Sequence, residues 1–330
     1  MGFRGLIRTF VPPMETIYLN KLTRRLPPCV ATIGFFDGVH QGHCYLINKV
    51  VETARQEGLV SMVVTFANHP RQVIQPDWRP QLLSTLDEKV ALLSQTGIDL
   101  LVILHFDRTM ADLSAYDFMH DILLSRLNVK TLFTGYDNRF GHREPDSTEG
   151  FDDYVQYGHE MGMNVLQGEP FRTSDVRVSS SKVRHFLQEG QIELANQCLG
   201  HSYELTGKVV SGEHIGSGLG FPTANLQLTA TDKLIPAPGV YAVKVHIEGS
   251  PASTAGMMNI GSRPTFGGSH QTLEVHVFRF SGNLYGQMLS VSFVSRLRSE
   301  TKFDSREALV AQLKEDARRT EEILNQVTEI

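Results

Sequence analysis

Residues Cys29–Ile47, CVATIGFFDGVHQGHCYLI, decide how the rest of the chain is read. Val30 to Phe35 is a short apolar run, rich in strand formers and closed by glycine and aromatic residues, which predicts a buried strand. After the Asp37-Gly38 turn the pattern changes, and His43, Leu46, Ile47, Val50, Val51 and Ala54 recur at helical spacing. The stretch therefore predicts strand, tight turn, helix. His40 and His43 fall at the helix start, where unpaired backbone N–H groups and the helix dipole favour an anion. Gly42 between them leaves the backbone open to close approach. A phosphate here would meet main-chain amides and two imidazoles together. A metal pair competes, but helical histidine ligands usually stand four apart with further ligands nearby, and no such set follows.

The alternation continues downstream. Val60–Phe66 reads as a second strand, ending at Asn68-His69-Pro70. Thr85 and Glu88 form a capping box for a helix carrying Val90 and Leu93, which stops near Gly97. Leu100–Phe106 is a third strand, Ser114 and Asp117 open a helix carrying Phe118, Ile122 and Leu127, and Val129–Phe133 is a fourth strand. Strands alternating with helices predict a parallel sheet with helices on both faces. Ligands bind such sheets at the carboxyl ends of the strands, where the histidines fall.

Two more stretches carry candidate contacts. Gly135–Gly141, GYDNRFG, follows the fourth strand, and its polar groups between glycines and aromatics suit a planar ring ligand; a plain turn fits the same residues. Val178–Arg184, VSSSKVR, opens a helix through Phe186 and Leu187. Consecutive serines at an N-cap with a cation one turn in can hold a phosphate, though such serines are more often only a cap.

Beyond Gly200–Tyr203, the expected domain boundary, strand signals replace helices: Leu205–Val210, Tyr241–Ile247, Gly256–Ile260, Leu273–Phe280 and Met288–Phe293. Short strands between Gly/Pro turns predict an antiparallel barrel. A last helix follows Asp304 and Glu307, with Leu309, Leu313, Ala317, Thr320 and Leu324 on one face. Within the barrel, Gly212–Leu226 reads GEHIGSGLGFPTANL, a glycine-rich loop without the Walker pattern. Thr223 and Asn225 lie two apart, so an extended backbone puts both oxygen donors on one face, a donor type that Mg²⁺ accepts. A turn into a strand accounts for the same residues. Glu274, His276 and Phe278 share a face of their strand, and a carboxylate there is either solvated or, beside a hydroxyl, a general base.

Composition bounds the rest. A chain of 330 residues has room for two cores, and its net charge of −5 argues against a generic nucleic-acid surface. Cys29, Cys44 and Cys198 are too few and scattered for a disulfide framework, which points to a reducing, cytoplasmic compartment. No run of eighteen apolar residues occurs, so no membrane span is expected. Residues 1–13 are expected to be a disordered extension, with Met14 a plausible true start.

GFFDGVHQGH after a first strand resembles the signature of the nucleotidyltransferases that move an AMP or CMP group. Followed by VTFANHP, TGYDNRFG, VSSSKVR and LGHSYELTGKVV in that order, it is similar to the bacterial bifunctional riboflavin kinase/FAD synthetases. GFPTANL, GVYAVKV, MMNIGSRPTF, LEVHVFRF, LYGQ and RLRSETKF extend the resemblance through the second half. It implies a Rossmann-like α/β nucleotidyltransferase domain over 14–200 that adenylylates FMN to FAD. A small β-barrel domain with a C-terminal helix over 203–330 would phosphorylate riboflavin. On this reading ATP contacts Gly34, Phe35, Asp37, His40, Gly42, His43, Ser180, Ser181 and Arg184 in one module, and Gly212, Gly216 and Gly218 in the other. Flavin meets Asp137, Asn138, Phe221 and Pro222, Thr223 and Asn225 hold Mg²⁺, and Glu274 activates the riboflavin hydroxyl. The chain departs from the family pattern at Asn138, usually aromatic, at Ser181, usually threonine, in the loop Gly141–Gly150, and at Gly216-Ser217, usually Gly-Arg. The expected partners are riboflavin, FMN and ATP, with no nucleic acid, no membrane and at most weak self-association. The rivals are a chain active in only one step and a flavin-binding sensor without catalysis.

Overall fold

The computed structural model describes residues 13–136, 139–142, 148–173, 176–211, 220–265 and 268–328. The chain divides into two compact units, Met1–Pro80 with Ser84–Val178, and Gln81–Leu83 with Ser179–Ile330.

The first unit is built on strands β1 (Glu15–Tyr18), β2 (Cys29–Ile33), β3 (Val60–Phe66), β4 (Leu100–Leu104), β5 (Val129–Thr134) and β6 (Asn164–Gln167). They form one parallel sheet in the order β1-β4-β3-β2-β5-β6. Between them run α1 (Gln41–Glu57), α2 (Pro70–Ile74), α3 (Leu86–Leu93), α4 (Arg108–Ala111), α5 (Ala115–Asp117) and α6 (Phe151–Met161), and a two-stranded ribbon of β7 (Arg172–Thr173) and β8 (Val176–Arg177) follows. All five residues of β2 are buried because both faces are covered. Cys29, Ala31 and Ile33 pack into one core, and Val30 packs against Leu46, Val50 and Ala54 of α1 on the other side. From β2 the strands step outward through β3 and β4, and the chain then returns to β5 on the opposite side of β2. That reversal opens a crevice at the carboxyl end of β2, the place where such sheets bind ligands.

Of the six strands in this sheet the sequence pattern missed two, and in this unit it also did not mark the ribbon β7–β8 or helices α2, α4 and α6. β1, ETIY, and β6, NVLQ, are short edge strands too polar to stand out. The helix expected from Ser114 begins there, with Ser114 Oγ accepting from Asp117 N, but Phe118–Arg126 widens into a π-helix that ends with Leu127 N bonded to Ile122 O.

The second unit begins with α7 (Ser180–Gln188) and α8 (Ile192–Leu199), followed by β9 (Glu204–Val210), β10 (Ala224–Leu228), β11 (Gly239–Ile247), β12 (Thr254–Thr265), β13 (Gly268–Val277), β14 (Met288–Arg298) and α9 (Arg306–Thr328). The strands close into an antiparallel barrel, β10-β13-β12-β11-β14-β9, with β9 pairing back to β10. Tyr241, Val243, Val275, Val291 and Phe293 are buried, while alternate residues such as Lys244, Glu274 and Ser292 are not. Helix α9 covers an outer patch of Val240, Ala242 and Leu297 with Ile323.

The division falls at Val178/Ser179, earlier than the Gly200–Tyr203 boundary read from the sequence. Helices α7 and α8 bury Val183, Phe186, Leu187, Ile192, Ala195 and Leu199. Asn196 ties α8 to the barrel, donating to Phe293 O and accepting from Tyr203 N, each at 2.8 Å. Leu82 also belongs to this unit, donating to Asp232 O at 2.7 Å and accepting from Leu234 N at 2.9 Å.

Candidate active sites

In the first unit the turn after β2 is forced into an uncommon shape. Phe36 (φ 52°) and Val39 (φ 39°) both lie in the left-handed region, with Gly38 (φ 76°) between them. A β-branched valine there is strained, and such strain concentrates at ligand sites. The turn is held by Asp37, which is 3% exposed: its Oδ1 accepts from Ser84 N at 3.0 Å, while Gly38 N donates to Ser84 Oγ at 2.9 Å. Asp37 thus shapes the site from behind.

The turn delivers His40 to the N-cap of α1, where its Nδ1 accepts from His43 N at 3.2 Å. The two imidazoles stack with centroids 3.5 Å apart and planes 14° from parallel. A Cβ on Gly42 would stand 3.2 Å from the His40 ring, so glycine permits the stack. Burial, then His40, then Lys89 hold the His43 imidazole well below the ordinary histidine range. His43 is therefore neutral at pH 7 and offers a hydrogen bond instead of a full charge. Among the described residues its buried Nδ1 has no hydrogen-bond partner.

Beside this turn lies a cavity of about 680 Å³, lined by Gly34, Phe35, Phe66, Phe106, Phe118 and Phe140 with Arg108, Arg139 and His142. Aromatic walls with a few cations suit a flat conjugated ring carrying a phosphate. Asp137 and Asn138 lie outside the described residues, but their neighbours Arg139 and Phe140 line this cavity. Asn68 fixes its rim, bonding Phe106 O at 2.8 Å and Phe106 N at 3.0 Å.

In the barrel the register assembles the second site. Glu274 on β13 pairs with Asn225 on β10 on one side and with Asn259 on β12 on the other. Directly paired residues share a face, so the three side chains form a polar row. Leu273, Val275 and Val277 are buried inward, which turns Glu274 and His276 to the outer wall. There a cavity of about 350 Å³ is lined by Phe221, Thr223, Asn259, Glu274, His276 and Phe303, with Leu309 and Leu313 of α9. A smaller cavity of about 280 Å³ is lined by Pro222, Thr223, Phe280, Asn283 and Tyr285. Thr223 lines both cavities. His276 Nδ1–H donates to Pro222 O at 2.7 Å, with the Phe221 ring edge-on to the imidazole. Arg298, on the wall of the larger cavity, pairs with the fully buried Asp316 of α9 at 2.9 Å, and Gln312 donates to the same carboxylate.

The sequence-read residues thus fall into two constellations, Gly34, Phe35, Asp37, His40, Gly42 and His43 in one unit and Phe221, Pro222, Thr223, Asn225 and Glu274 in the other. Gly212, Gly216 and Gly218 lie outside the described residues. Ser179 Oγ caps α7 by accepting from Lys182 N at 3.2 Å. Ser180, Ser181 and Arg184 form the first turns of that helix in the second unit, and Arg184 Nε donates to Gln81 O at 2.8 Å. Asn259, Arg298, Asp316 and Lys89 escaped sequence reading, because each acquires its place through cross-strand register or tertiary packing.

The donors of Thr223 and Asn225 fit Mg²⁺. Hydroxyl, amide and the Glu274 carboxylate rise from one face, an all-oxygen set of the kind that ion takes.

A two-domain transferase acting on flavin and nucleotide is the class that this pairing of folds and sites defines. Residues 22–182 match the family model for FAD synthetase and residues 199–324 that for riboflavin kinase. The bifunctional riboflavin kinase/FMN adenylyltransferase of Escherichia coli (strain K12) is 39% identical over 289 residues, 87% of this chain and 90% of that protein. The enzyme of the same description from Bacillus subtilis (strain 168) is 33% identical over 311 residues, 92% of this chain and 96% of that protein. A crystal structure described as a macrolide-efflux protein from Streptococcus pneumoniae matches with a TM-score of 0.83 and 30% identity, over 93% of this chain and 98% of that one. The chain belongs to the bifunctional riboflavin kinase/FMN adenylyltransferase family. It is a transferase that phosphorylates riboflavin to FMN and adenylylates FMN to FAD, with ATP as co-substrate. Among the described residues no helix is long and apolar enough to cross a membrane.

Proposed function

We propose that adenylyl transfer occurs at the start of α1 and riboflavin phosphorylation at the outer wall of the barrel around Glu274. In the first unit the FMN ring fits the aromatic cavity beside Phe35, and the ATP phosphates meet the amides of α1 and the His40–His43 pair. A phosphate oxygen of FMN attacks the α-phosphorus of ATP, the bond to the β-phosphate bridging oxygen breaks, and pyrophosphate leaves. Hydrogen bonds from preset donors stabilise the charge on the transferring group, and no covalent enzyme intermediate is needed.

In the barrel the flavin ring occupies the cavity under α9, between Phe221, Phe303 and the leucines of that helix. The nucleotide phosphates enter from the adjoining cavity by Tyr285. The observation that carries this arrangement is Thr223, which lines both cavities and lies two residues before Asn225, the strand partner of Glu274. Glu274 takes the proton of the terminal ribityl hydroxyl as its oxygen attacks the γ-phosphorus, and ADP leaves. Mg²⁺ held by Thr223 and Asn225 would neutralise phosphate charge there. Small molecules are the partners, self-association is weak at most, and a cytoplasmic location fits three free cysteines.

Product analysis on two variants tests the assignment. With riboflavin, ATP and Mg²⁺, His43→Ala should stop at FMN, and Glu274→Gln should leave riboflavin unconverted yet still make FAD from supplied FMN. The same product blocked in both variants would mean that the sites are misassigned.

A further inference from the structure

Lys89, in the first turn of α3, is 2% exposed, an uncommon place for a lysine. Its Nζ donates to Phe66 O at 2.9 Å and to Phe35 O at 3.0 Å, and stands 4.0 Å from the centroid of the Phe35 ring. Phe66 ends β3 and Phe35 lies just past β2, so one ammonium joins two neighbouring strand ends at the crevice. Both residues also line the flavin-sized cavity.

Among the described residues both of its hydrogen bonds run to main-chain carbonyls. Burial pushes the ammonium down to about 8, with Asp37 partly opposing that shift from the turn. His43 feels Lys89 from α1, His40 stacks on His43, and His69 at the cap of α2 packs 4.5 Å from the Phe35 ring. Glu88, next in sequence, accepts from Thr85 N instead. Burying a cation this way is destabilising, and a methionine of similar reach would fill the space without that penalty. The charge becomes favourable once an anion occupies the crevice.

We propose that Lys89 is a positioning residue for adenylyl transfer: it clamps the ends of β2 and β3 in the shape that presents Phe35 and the His40–His43 helix start, and sets a fixed positive charge behind the phosphates. The proposal rests on the assignment of adenylyl transfer to this helix start.

The test follows FAD formation from FMN and ATP by the full-length enzyme between pH 7 and 9.5. In the wild type kcat/KM should fall about tenfold by pH 9, one unit above the titration of Lys89. The first unit should not lose stability from this group over the same range. A lysine titrating lower in the native than in the unfolded state leaves the unfolded chain with more protons there, so its contribution to stability rises with pH. Lys89→Arg should retain most of the rate at pH 7 and lack the alkaline limb, since guanidinium does not titrate. Lys89→Met should make FAD about 10²-fold more slowly at pH 7 while phosphorylating riboflavin normally. A wild-type profile flat to pH 9.5, an alkaline limb kept in Lys89→Arg, or a Lys89→Met enzyme with wild-type FAD synthesis would each overturn the proposal. If Lys89→Met fails to fold its unit, the wild-type and Lys89→Arg profiles decide. Normal FAD synthesis by His43→Ala would instead overturn the site assignment beneath it.

Discussion

Asn225 on β10 and Glu274 on β13 stand directly opposite each other across an antiparallel pair, so amide and carboxylate rise from the same face of the barrel wall. Asn259 completes the row from β12. A carboxylate flanked by two amides suits the base role proposed for Glu274. The arrangement depends on register, since a slip of one residue would turn Glu274 into the barrel interior.

Glu274→Gln keeps the shape and most of the hydrogen bonds but removes the proposed base. General-base assistance is worth about 10²–10⁴-fold, so FMN formation should fall within that range. Riboflavin affinity, followed by fluorescence, should change little, because a neutral amide still accepts from the substrate hydroxyl. Full kinase activity would reduce Glu274 to a solvated strand residue.

Much of this was legible in sequence, and the reasons are local. The switch from period 2 to period 3.6 at Asp37-Gly38 announces the strand-turn-helix joint, and alternation along Leu273–Phe280 turns Glu274 away from the core. Lys89 was not legible. In Leu86–Leu93 it reads as one more solvated helical cation, and its carbonyl partners lie 54 and 23 residues away. Asn259 is likewise an ordinary strand residue until the β12–β13 register places it beside Glu274. Helices α7 and α8 continue the helical rhythm of the first unit, so only packing assigns them to the second.

The stacked histidines predict an acid-sensitive first unit. Burial is the main cause of the lowered His43 titration, with His40 and Lys89 adding to it. Below the unfolded value of about 6.5 the unfolded chain binds a proton that the native imidazole refuses, so stability is lost as pH falls. One such group contributes at most about 1.4 kcal/mol per pH unit. Thermal melts from pH 7 to 5 should therefore show a smaller acid loss in His43→Gln than in the wild type. Parallel curves would mean that the native imidazole protonates freely.

Asp316 predicts how α9 is held. Its carboxylate is fully buried and receives Arg298 and Gln312, while Arg298 keeps 18% of its side chain exposed. Breaking a buried pair by removing one partner costs about 3–5 kcal/mol, and water reaching Arg298 favours the lower end. Asp316→Ala should destabilise the barrel unit by about 3 kcal/mol in urea melts. It should also weaken riboflavin binding, because Arg298, Leu309 and Leu313 all line the cavity. Unchanged binding with the stability loss in place would separate the helix anchor from the cavity.

The kinase unit should be separable, but at Ser179 and not at Tyr203. A fragment beginning at Tyr203 loses α8, and with it the Asn196 bonds to Phe293 O and Tyr203 N. It also loses α7, whose Leu187 O accepts from Ala237 N at 3.0 Å. Helix α8 lies against β14, where Ser295 Oγ donates to Glu193, and without the helices that surface would face water. Each buried apolar side chain contributes about 1.5–3 kcal/mol, enough for a few of them to exceed the stability of a small barrel. A fragment from Ser179 to Ile330 keeps both helices and lacks only Gln81–Leu83, which leaves Asp232 O and Leu234 N to water at about 0.5–1.5 kcal/mol per hydrogen bond. The longer fragment should melt cooperatively and convert riboflavin to FMN, and the shorter one should be insoluble or melt far lower. Equal stability of the two fragments would show that α7 and α8 are passengers on the barrel. An inactive but folded longer fragment would show that riboflavin phosphorylation needs residues of the first unit.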